Sequence, residues 1–176
     1  MKTVCKFEKV SYHTYKSEFE NAKQYISANS TYGQTSDEIL DSVKLPRRAT
    51  TQSAGYDFFA PFPFELSPGQ TVMIPTGIRA KISDGWFLCV VPRSGLGFKY
   101  RFTLDNTVGV IDADYYNSDN EGHIMIKMTN HGDKRMSVQK GVAVAQGILI
   151  PFGVAVDDEE SEIKTRNGGF GSTDSI

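Results

Sequence analysis

The chain has 176 residues, of which 39% are hydrophobic and 23% are charged, and this composition is typical of a globular protein rather than a disordered or fibrous one. Such a length suits one domain that buries roughly two-thirds of its unfolded surface. Nineteen Lys and Arg residues oppose 21 Asp and Glu residues, which gives a formal charge of −2. Because there is no global basic field, we expect no direct binding to nucleic acid or membrane, and phosphate must be bound by local groups.

The two cysteines, Cys5 and Cys89, are too few for a disulfide framework and lack the spacing of metal ligands. This pattern favours a reducing compartment. The chain also contains no apolar stretch of the length that a signal peptide or a membrane span needs. We therefore expect a cytoplasmic protein, or one in the cytoplasm of a host cell if a virus encodes it.

The N-terminal region is predicted to contain two helices. Ser17 and Glu20 have the spacing of a capping box, and the apolar residues that follow recur at helical spacing, which predicts a helix over about residues 17–28. A second short helix is predicted to start at Ser36, with Ile39 on its apolar face.

From Thr50 to Val156, short apolar runs rich in Val, Ile and Phe are separated by Pro and Gly about every ten residues. Helical periodicity is absent from this sequence pattern, which predicts an all-β sandwich or barrel. Alternation within His123–Thr129 predicts a strand with one buried face. The predicted strands are Thr71–Ile74, Ile78–Ile82, Trp86–Val91, Val108–Ile111, His123–Thr129 and Val142–Ile150.

Segments next to these strands carry reactive or anion-binding groups. Pro92–Lys99 follows a predicted strand and offers a guanidinium, a hydroxyl and two glycines, which could hold a phosphate or form an ordinary turn. Ala54–Asp57 and Asn106–Tyr115 place carboxylates beside apolar strand residues, where they are either turn caps or catalytic groups. Taken alone, none of these segments distinguishes a functional site from an ordinary turn.

The C-terminal region begins with an acidic run at residues 157–162, which is predicted to be a solvated loop. Residues 166–176 are polar and rich in glycine, as in a frayed terminus. The same segment combines Arg166, Phe170 and two hydroxyl side chains with glycines, and these are groups that a tail needs to close over a nucleotide.

Together, these segments resemble the trimeric deoxyuridine triphosphate nucleotidohydrolases, the dUTPases. The resemblance covers roughly residues 47–174 and includes all five ordered motifs of that family. It implies a jelly-roll-like β-barrel, a homotrimer with shared active sites, Mg²⁺ dependence, and hydrolysis of dUTP to dUMP and pyrophosphate. The five motifs are matched by Ala54–Asp57, by Pro92–Lys99, by Gly109–Tyr115 continued in Gly122–Ile124, by Gly141–Gln146 and by Arg166–Thr173.

The resemblance also implies a role for each matched residue. Asp112 matches the carboxylate that orients and deprotonates the water attacking the α-phosphorus. Tyr115 matches the ring under the deoxyribose, and Phe170 matches the ring that stacks on uracil. Asp57 matches the carboxylate near Mg²⁺, which it reaches through water because Mg²⁺ keeps much of its hydration. The other matched positions bind substrate, and they are Arg93, Ser94, Gly95, Asn106, Gly109, Gln146, Arg166, Gly171, Ser172 and Thr173.

The sequence departs from the family pattern in the hairpin and in the fourth motif. Residues 116–121 lengthen the hairpin tip, so Tyr115 and Tyr116 compete for the position against the sugar, and the spacing from Asp112 favours Tyr115. In this chain the Ala-Gln pair of the fourth motif ends in Gln146. The family often has an arginine two residues before that pair, and this chain lacks it. A structural ion pair is therefore predicted to be missing.

A third departure lies near the N-terminus. In the family the first barrel strand, which we place at Val4–Val10, leads almost directly to Leu45, so residues 11–43 are predicted to be an inserted helical piece. Because surface insertions are usually tolerated, replacing this insertion with a short linker is predicted to leave activity within about tenfold. The predicted organisation is a first barrel strand, a helical insertion, a β-barrel core, and an acidic linker with a tail that closes over the active site, at residues 1–10, 11–43, 44–156 and 157–176.

Two other functions are compatible with the fold. A dCTP deaminase shares the fold and the trimeric assembly, but the run from Asp112 to Tyr115 and the C-terminal tail resemble the hydrolase, and a deaminase needs a differently placed acid/base glutamate. A regulatory protein could bind a protein partner through residues 11–43, and this role could coexist with catalysis.

Overall fold

The computed structural model describes residues 2–26 and 33–156, and strands predominate among them. The predicted tail residues lie outside the described residues, and they are Arg166, Phe170, Gly171, Ser172 and Thr173. The strands are β1 (Cys5–Lys9), β2 (Arg47–Arg48), β3 (Gly55–Phe59), β4 (Phe64–Leu66), β5 (Thr71–Pro75), β6 (Ile78–Ile82), β7 (Trp86–Pro92), β8 (Phe102–Leu104), β9 (Gly109–Ile111), β10 (Met125–Asn130), β11 (Met136–Val138) and β12 (Ala143–Pro151). The helices are α1 (Tyr12–Ala22), α2 (Ser36–Ser42) and α3 (Ser94–Tyr100), with 3-10 turns at Lys23–Tyr25 and Asp114–Asn117.

Antiparallel pairing arranges the strands in four sheets. The largest sheet has the strand order β2-β3-β12-β7-β9, and a second sheet has the order β5-β10-β8. β1 pairs with β6, and β11 pairs with β4. Buried side chains from all of these sheets form one apolar cluster. This arrangement confirms the predicted all-β, jelly-roll-like fold.

The longer strands were predicted correctly from their apolar runs. All six predicted strands are present, with ends that differ by at most two residues. In β10, Ile126 and Met128 are buried while Lys127 is half-buried, which confirms the predicted alternation of faces. The strands β2, β3, β4, β8 and β11 were not predicted, because segments of two to five residues show too little periodicity.

The helix predictions need two corrections. α1 begins at Tyr12 because Ser11 is its N-cap, and the pair Ser17 and Glu20 lies inside the helix instead of starting it. The absence of helix predicted for the β region is wrong at α3, a short segment with two glycines whose residues Leu96 and Tyr100 pack against the core. α2 begins where predicted, with a capping box.

Within the residues that the structure describes, no helix is long and apolar enough to cross a membrane.

The helices of residues 11–43 are part of the hydrophobic core. Tyr15 on α1 and Ile39 and Leu40 on α2 are at most 2% exposed and belong to the same cluster as the barrel residues. Packing is close at Gly77 (φ 72°), where an added Cβ would lie 2.8 Å from Leu40 Cδ1. The expectation of a surface insertion is therefore wrong for Tyr15, Ile39 and Leu40, because their side chains face the barrel rather than solvent.

Candidate active site

Three of the sequence motifs meet in the largest sheet. β12 lies between β3 and β7, and its residue Gln146 is opposite Asp57 on β3 and Val91 on β7. Arg93, two residues after Val91, donates a hydrogen bond from Nη1 to the Asp57 carboxylate. The strand register thus brings together an amide, a carboxylate and a guanidinium from distant parts of the sequence.

These groups can bind an anion. The Asp57 side chain is 11% exposed, and its charge is balanced by the Arg93 guanidinium. The Arg93 side chain is 37% exposed and keeps further N–H donors that can reach a ligand. Ser94 and Gly95, the first residues of α3, are exposed next to Arg93. A Cβ at Gly95 would meet nothing within 4 Å, so the backbone there is open to a ligand. The cluster offers the charge and the donors that a phosphate group requires.

Gly55, at the start of β3, gives the Gln146 side chain its space. A Cβ at Gly55 would collide with Gln146 Oε1 and would lie 3.3 Å from its Cδ. The Gln146 amide also donates from Nε2 to the Pro92 carbonyl, at 3.5 Å. A side chain at position 55 of the first motif would occupy the space that the Gln146 amide of the fourth motif fills, and glycine leaves that space free.

A second group of predicted residues lies in the hairpin of residues 106–124. The hairpin borders a cavity of about 260 Å³, whose mostly apolar lining includes Asn106 and Gly109 but neither Asp112 nor Tyr115. Gly109 lies in the wall, and its added Cβ would be only 3.1 Å from the Cβ of Val90. A mostly apolar cavity with a few polar groups is the usual form of a small-molecule site.

The two groups of residues lie at different ends of β7. Ile111 on β9 pairs with Leu88, and Asp112 follows it, whereas Arg93 is five residues beyond Leu88. Five residues of extended strand span on the order of 15 Å. Asp112 is exposed at the end of β9. Within one chain, the predicted catalytic base is therefore not brought to the phosphate-binding groups.

The two competing tyrosines face different parts of the molecule. Tyr115 is 4% exposed, and its hydroxyl donates a hydrogen bond to the His123 carbonyl at 2.9 Å. The Tyr116 ring lies 3.6 Å from the Arg79 guanidinium, and its hydroxyl donates to Glu8 on β1 at 2.5 Å. Tyr116 is thus occupied by contacts with β1 and β6, which leaves Tyr115 as the ring inside the hairpin.

The sequence assigned His123 to the third motif and Glu121 to the longer hairpin tip, but it did not predict the contacts that these two residues make. His123 is fully buried, its Nε2 accepts a hydrogen bond from the Gly77 N–H at 2.8 Å, and burial lowers its pKa to about 4. The Glu121 carboxylate accepts hydrogen bonds from Ser11, which is 110 positions away. No local pattern predicts these contacts, since the partners come from distant elements.

The donor set near Asp57 suits a hydrated cation. Among residues 2–26 and 33–156, no group of three or more His, Cys, Asp or Glu side chains is placed to hold a metal ion. Asp57 and the amide oxygen of Gln146 are hard oxygen donors, which Mg²⁺ accepts while keeping several waters and taking phosphate oxygens. These residues therefore fit a Mg²⁺ ion that is carried mainly by water and substrate.

Comparison with known proteins identifies the family. The dUTPase family model matches residues 41–174. The deoxyuridine 5'-triphosphate nucleotidohydrolase of Lactococcus lactis subsp. lactis (strain IL1403) is 45% identical over 132 residues, which cover 74% of this chain and 88% of that protein. The crystal structure of dUTPase from Streptococcus mutans is 34% identical with a TM-score of 0.60, and the match covers 85% of this chain and 97% of that one. A mutant dUTPase from phage phi11 of S. aureus, whose structure is described as revealing the coordination of a structural Mg(II) ion, shares the fold at a TM-score of 0.57 and 21% identity over 69% of this chain and 92% of that one. The chain belongs to the dUTPase family and is a hydrolase that converts dUTP to dUMP.

Proposed function

We propose that the enzyme is a homotrimer in which each active site combines parts of different chains. The separation of Asp112 from Arg93 along β7 is the main support. A base that activates water must lie within hydrogen-bond reach of that water, next to the phosphate under attack. Another chain must therefore bring its phosphate-binding groups to Asp112. The exposed apolar side chains of Val110, Phe152 and Val154 offer surface that such an assembly would bury.

The hairpin cavity would bind the nucleoside. Backbone groups around Asn106 and Gly109 would hydrogen-bond the uracil edge, and the close walls would leave no room for a methyl group at C5. Tyr115, fixed by its hydrogen bond to His123, would pack against the deoxyribose and exclude a 2′-hydroxyl. A site that pairs polar groups rejects unmatched analogues more strongly than an apolar pocket does.

The sheet cluster would bind the triphosphate. Arg93, Ser94, Gly95 and Gln146 would contact phosphate oxygens through charged and neutral donors. Asp57 would hold Mg²⁺ through water, and the phi11 relative's structural Mg(II) ion supports metal use in the family. When bound, Mg²⁺ neutralises charge on the triphosphate.

Asp112 would act as the general base. Its carboxylate would orient a water molecule and accept its proton as the water attacks the α-phosphorus and pyrophosphate leaves. This reaction limits uracil incorporation into DNA and supplies dUMP for dTMP synthesis. The unpaired Cys5 and Cys89 support a cytoplasmic location for it, since free thiols suit a reducing compartment.

The C-terminal tail would complete the site. Phe170 would stack on uracil, Arg166 with Ser172 and Thr173 would bind the γ-phosphate, and Gly171 would let the backbone approach the nucleotide. Ordering a glycine-rich tail costs about 1–2 kcal/mol per residue. The tail should therefore close mainly when nucleotide supplies stacking and phosphate contacts.

Mixed trimers test whether the sites are shared. Asp112→Ala and a truncation after Ile163 each remove an essential group, so both variants should be inactive alone. After dissociation, mixing and reassembly, an intact Asp112 from one chain can meet an intact tail from another, and activity should return. If native mass spectrometry detects mixed trimers that remain inactive, Asp112 and the tail act within one chain, and the proposal that different chains supply them is wrong.

An assay with two substrates tests the reaction and its metal dependence. Purified protein should release pyrophosphate from dUTP with Mg²⁺ and lose this activity in EDTA, and it should release no ammonia from dCTP. Ammonia release would instead support the deaminase alternative. Pyrophosphate release that persists in EDTA would contradict the proposed use of Mg²⁺.

A further inference from the structure

The lengthened hairpin and the N-terminal insertion, the two largest departures from the family pattern, contact each other. Ser11, the N-cap of α1, donates two hydrogen bonds to the Glu121 carboxylate, from its backbone N–H at 2.9 Å and from Oγ at 2.6 Å. Thr14 Oγ1 donates a third at 2.8 Å. Arg79 Nη1 lies 3.9 Å from the same carboxylate. Glu121 therefore connects the hairpin to the first turn of α1.

The environment of Glu121 favours the charged carboxylate. Hydrogen bonds from Ser11 and Thr14, together with the nearby Arg79 guanidinium, lower its pKa. A carboxylate at the N-terminus of a helix also interacts favourably with the helix dipole. The connection is thus made by an ionised acceptor, which forms stronger hydrogen bonds than a neutral one.

Between Glu121 and Tyr115 the hairpin tip is a closed hydrogen-bonded loop. Ser118 Oγ donates to the Tyr115 carbonyl at 2.8 Å and accepts from the Gly122 N–H at 3.2 Å. Tyr115 in turn donates to the carbonyl of His123, two residues after Glu121. Gly122 (φ 70°) packs so closely that an added Cβ would lie 2.7 Å from the Tyr115 carbonyl oxygen. A displacement of Glu121 would therefore move Tyr115.

We propose that Glu121 is a positioning residue for the dUTP site, because its bonds to Ser11 and Thr14 hold the hairpin tip so that Tyr115 stands where the deoxyribose packs. This inference rests on the proposed role of Tyr115 in the sugar site. It also gives the insertion a function, since α1 is the support against which the substrate-binding hairpin is fixed. Residues that orient a ligand-contacting group in this way set its precision without touching the ligand.

Substitution of Glu121 tests the proposal through substrate selectivity. Glu121→Ala removes the anchor, and we expect the KM for dUTP and the relative activity on UTP each to rise about tenfold, with kcat within about threefold. Glu121→Gln keeps an acceptor for the Ser11 N–H and can donate to both hydroxyls but loses the charge, so its effect should be clearly smaller than that of Glu121→Ala. Asp119→Ala removes an exposed carboxylate from the same tip, and it should leave selectivity unchanged.

Three outcomes would overturn the assignment. An alanine variant with native KM and native selectivity would show that the anchor is dispensable. Equal losses on dUTP and UTP, with a lower Tm, would show a structural role only. A glutamine variant as impaired as the alanine variant would show that the hydrogen bonds do not carry the effect.

Hydrogen exchange provides a readout that does not depend on hydrolysis. The amides of Gly122, His123 and Ile124 donate within or next to the hairpin, and their exchange should accelerate about tenfold in Glu121→Ala while exchange in β12 stays unchanged. Should Glu121→Ala fail to fold, Thr14→Val keeps the side-chain shape, removes one hydrogen bond, and should have a smaller effect in the same direction. Unchanged exchange in the variant that folds would contradict the proposal. Because exchange needs no substrate, this result is independent of whether the proposed sugar site is correct.

Discussion

Arg93 donates a hydrogen bond to the carboxylate of Asp57, although the two residues are 36 positions apart and belong to different motifs. Gln146, from a third motif, lies directly opposite Asp57 in the adjacent strand. The three side chains are thus arranged by strand register within one chain, before any ligand binds. A pre-arranged site loses less conformational entropy when the triphosphate is bound.

Gly55→Ala should weaken nucleotide binding without unfolding the protein. The added Cβ would collide with Gln146 Oε1, so the amide must leave its position beside Asp57. We expect the KM for dUTP to rise about tenfold, as for other substitutions that displace a ligand-orienting group. Lys81→Ala is the control because it alters an exposed side chain on β6, in a different sheet from Gln146. Equal kinetics in the two variants would show that Gln146 does not need this position.

Asp112→Asn should remove turnover while binding remains. The asparagine has the same shape, but it cannot accept a proton from water, and loss of a general base lowers kcat by about 10²- to 10⁴-fold. Pyrophosphate release measures turnover, and calorimetry with a non-hydrolysable dUTP analogue measures binding. Asp114→Asn, which alters an exposed neighbour, should retain activity. Near-native turnover by Asp112→Asn would remove Asp112 from its assigned role.

Tyr115 and Tyr116 should differ in their effect on sugar selectivity. Tyr115→Ala opens space against the deoxyribose, so UTP should become a competitor of dUTP. Tyr116→Phe keeps the ring on the Arg79 guanidinium and loses only the hydrogen bond to Glu8, so UTP should remain excluded. Inhibition of dUTP hydrolysis by UTP measures both effects. The reverse pattern would mean that the lengthened hairpin shifts the motif by one residue.

His123 should make stability depend on pH. Burial lowers its pKa to about 4 in the folded state, against a smaller opposite effect of the Glu121 carboxylate. The unfolded state therefore binds the extra proton first, and the free energy of unfolding should fall as pH drops from about 6.5 to about 4, by at most about 1.4 kcal/mol per pH unit. His123→Gln can still accept the Gly77 N–H bond and should flatten this part of the pH profile in urea unfolding. His13→Gln, at an exposed position on α1, should retain the native slope.

The helices of residues 11–43 should be essential for stability. Leu40→Ala, at a side chain 2% exposed, should lower the free energy of unfolding by about 2–5 kcal/mol. Leu45→Ala, at a side chain 45% exposed, should change it by under about 0.5 kcal/mol. Replacing the whole segment with a linker should lower Tm sharply, whereas the sequence alone predicted that activity would stay within about tenfold. A linker variant with native Tm would show that the barrel closes its core without these helices.

Features set by neighbouring residues were predicted correctly from the sequence, whereas features set by residues distant in the chain were not. The longer strands were predicted because apolar and polar side chains alternate along consecutive residues, as in β10. α1 was misplaced because two serines with similar capping potential lie six residues apart, and its N-terminus is fixed by Ser11 with its contact to Glu121. Short strands such as β4 exist only because β11 pairs with them. Local patterns cannot supply those partners.

By itself, the sequence determined the fold class and the family, and it predicted the site residues, because the motifs place the chemistry that dUTP hydrolysis needs in a fixed order along the chain. Only the tertiary structure decided that Asp57, Arg93 and Gln146 are adjacent while Asp112 lies at the other end of β7. It also decided that α1 and α2 bury apolar side chains in the core and that α1 connects through Ser11 to Glu121. The physical reason is that burial and hydrogen bonding depend on residues distant in the chain, and their positions are set by strand register and packing rather than by local propensity.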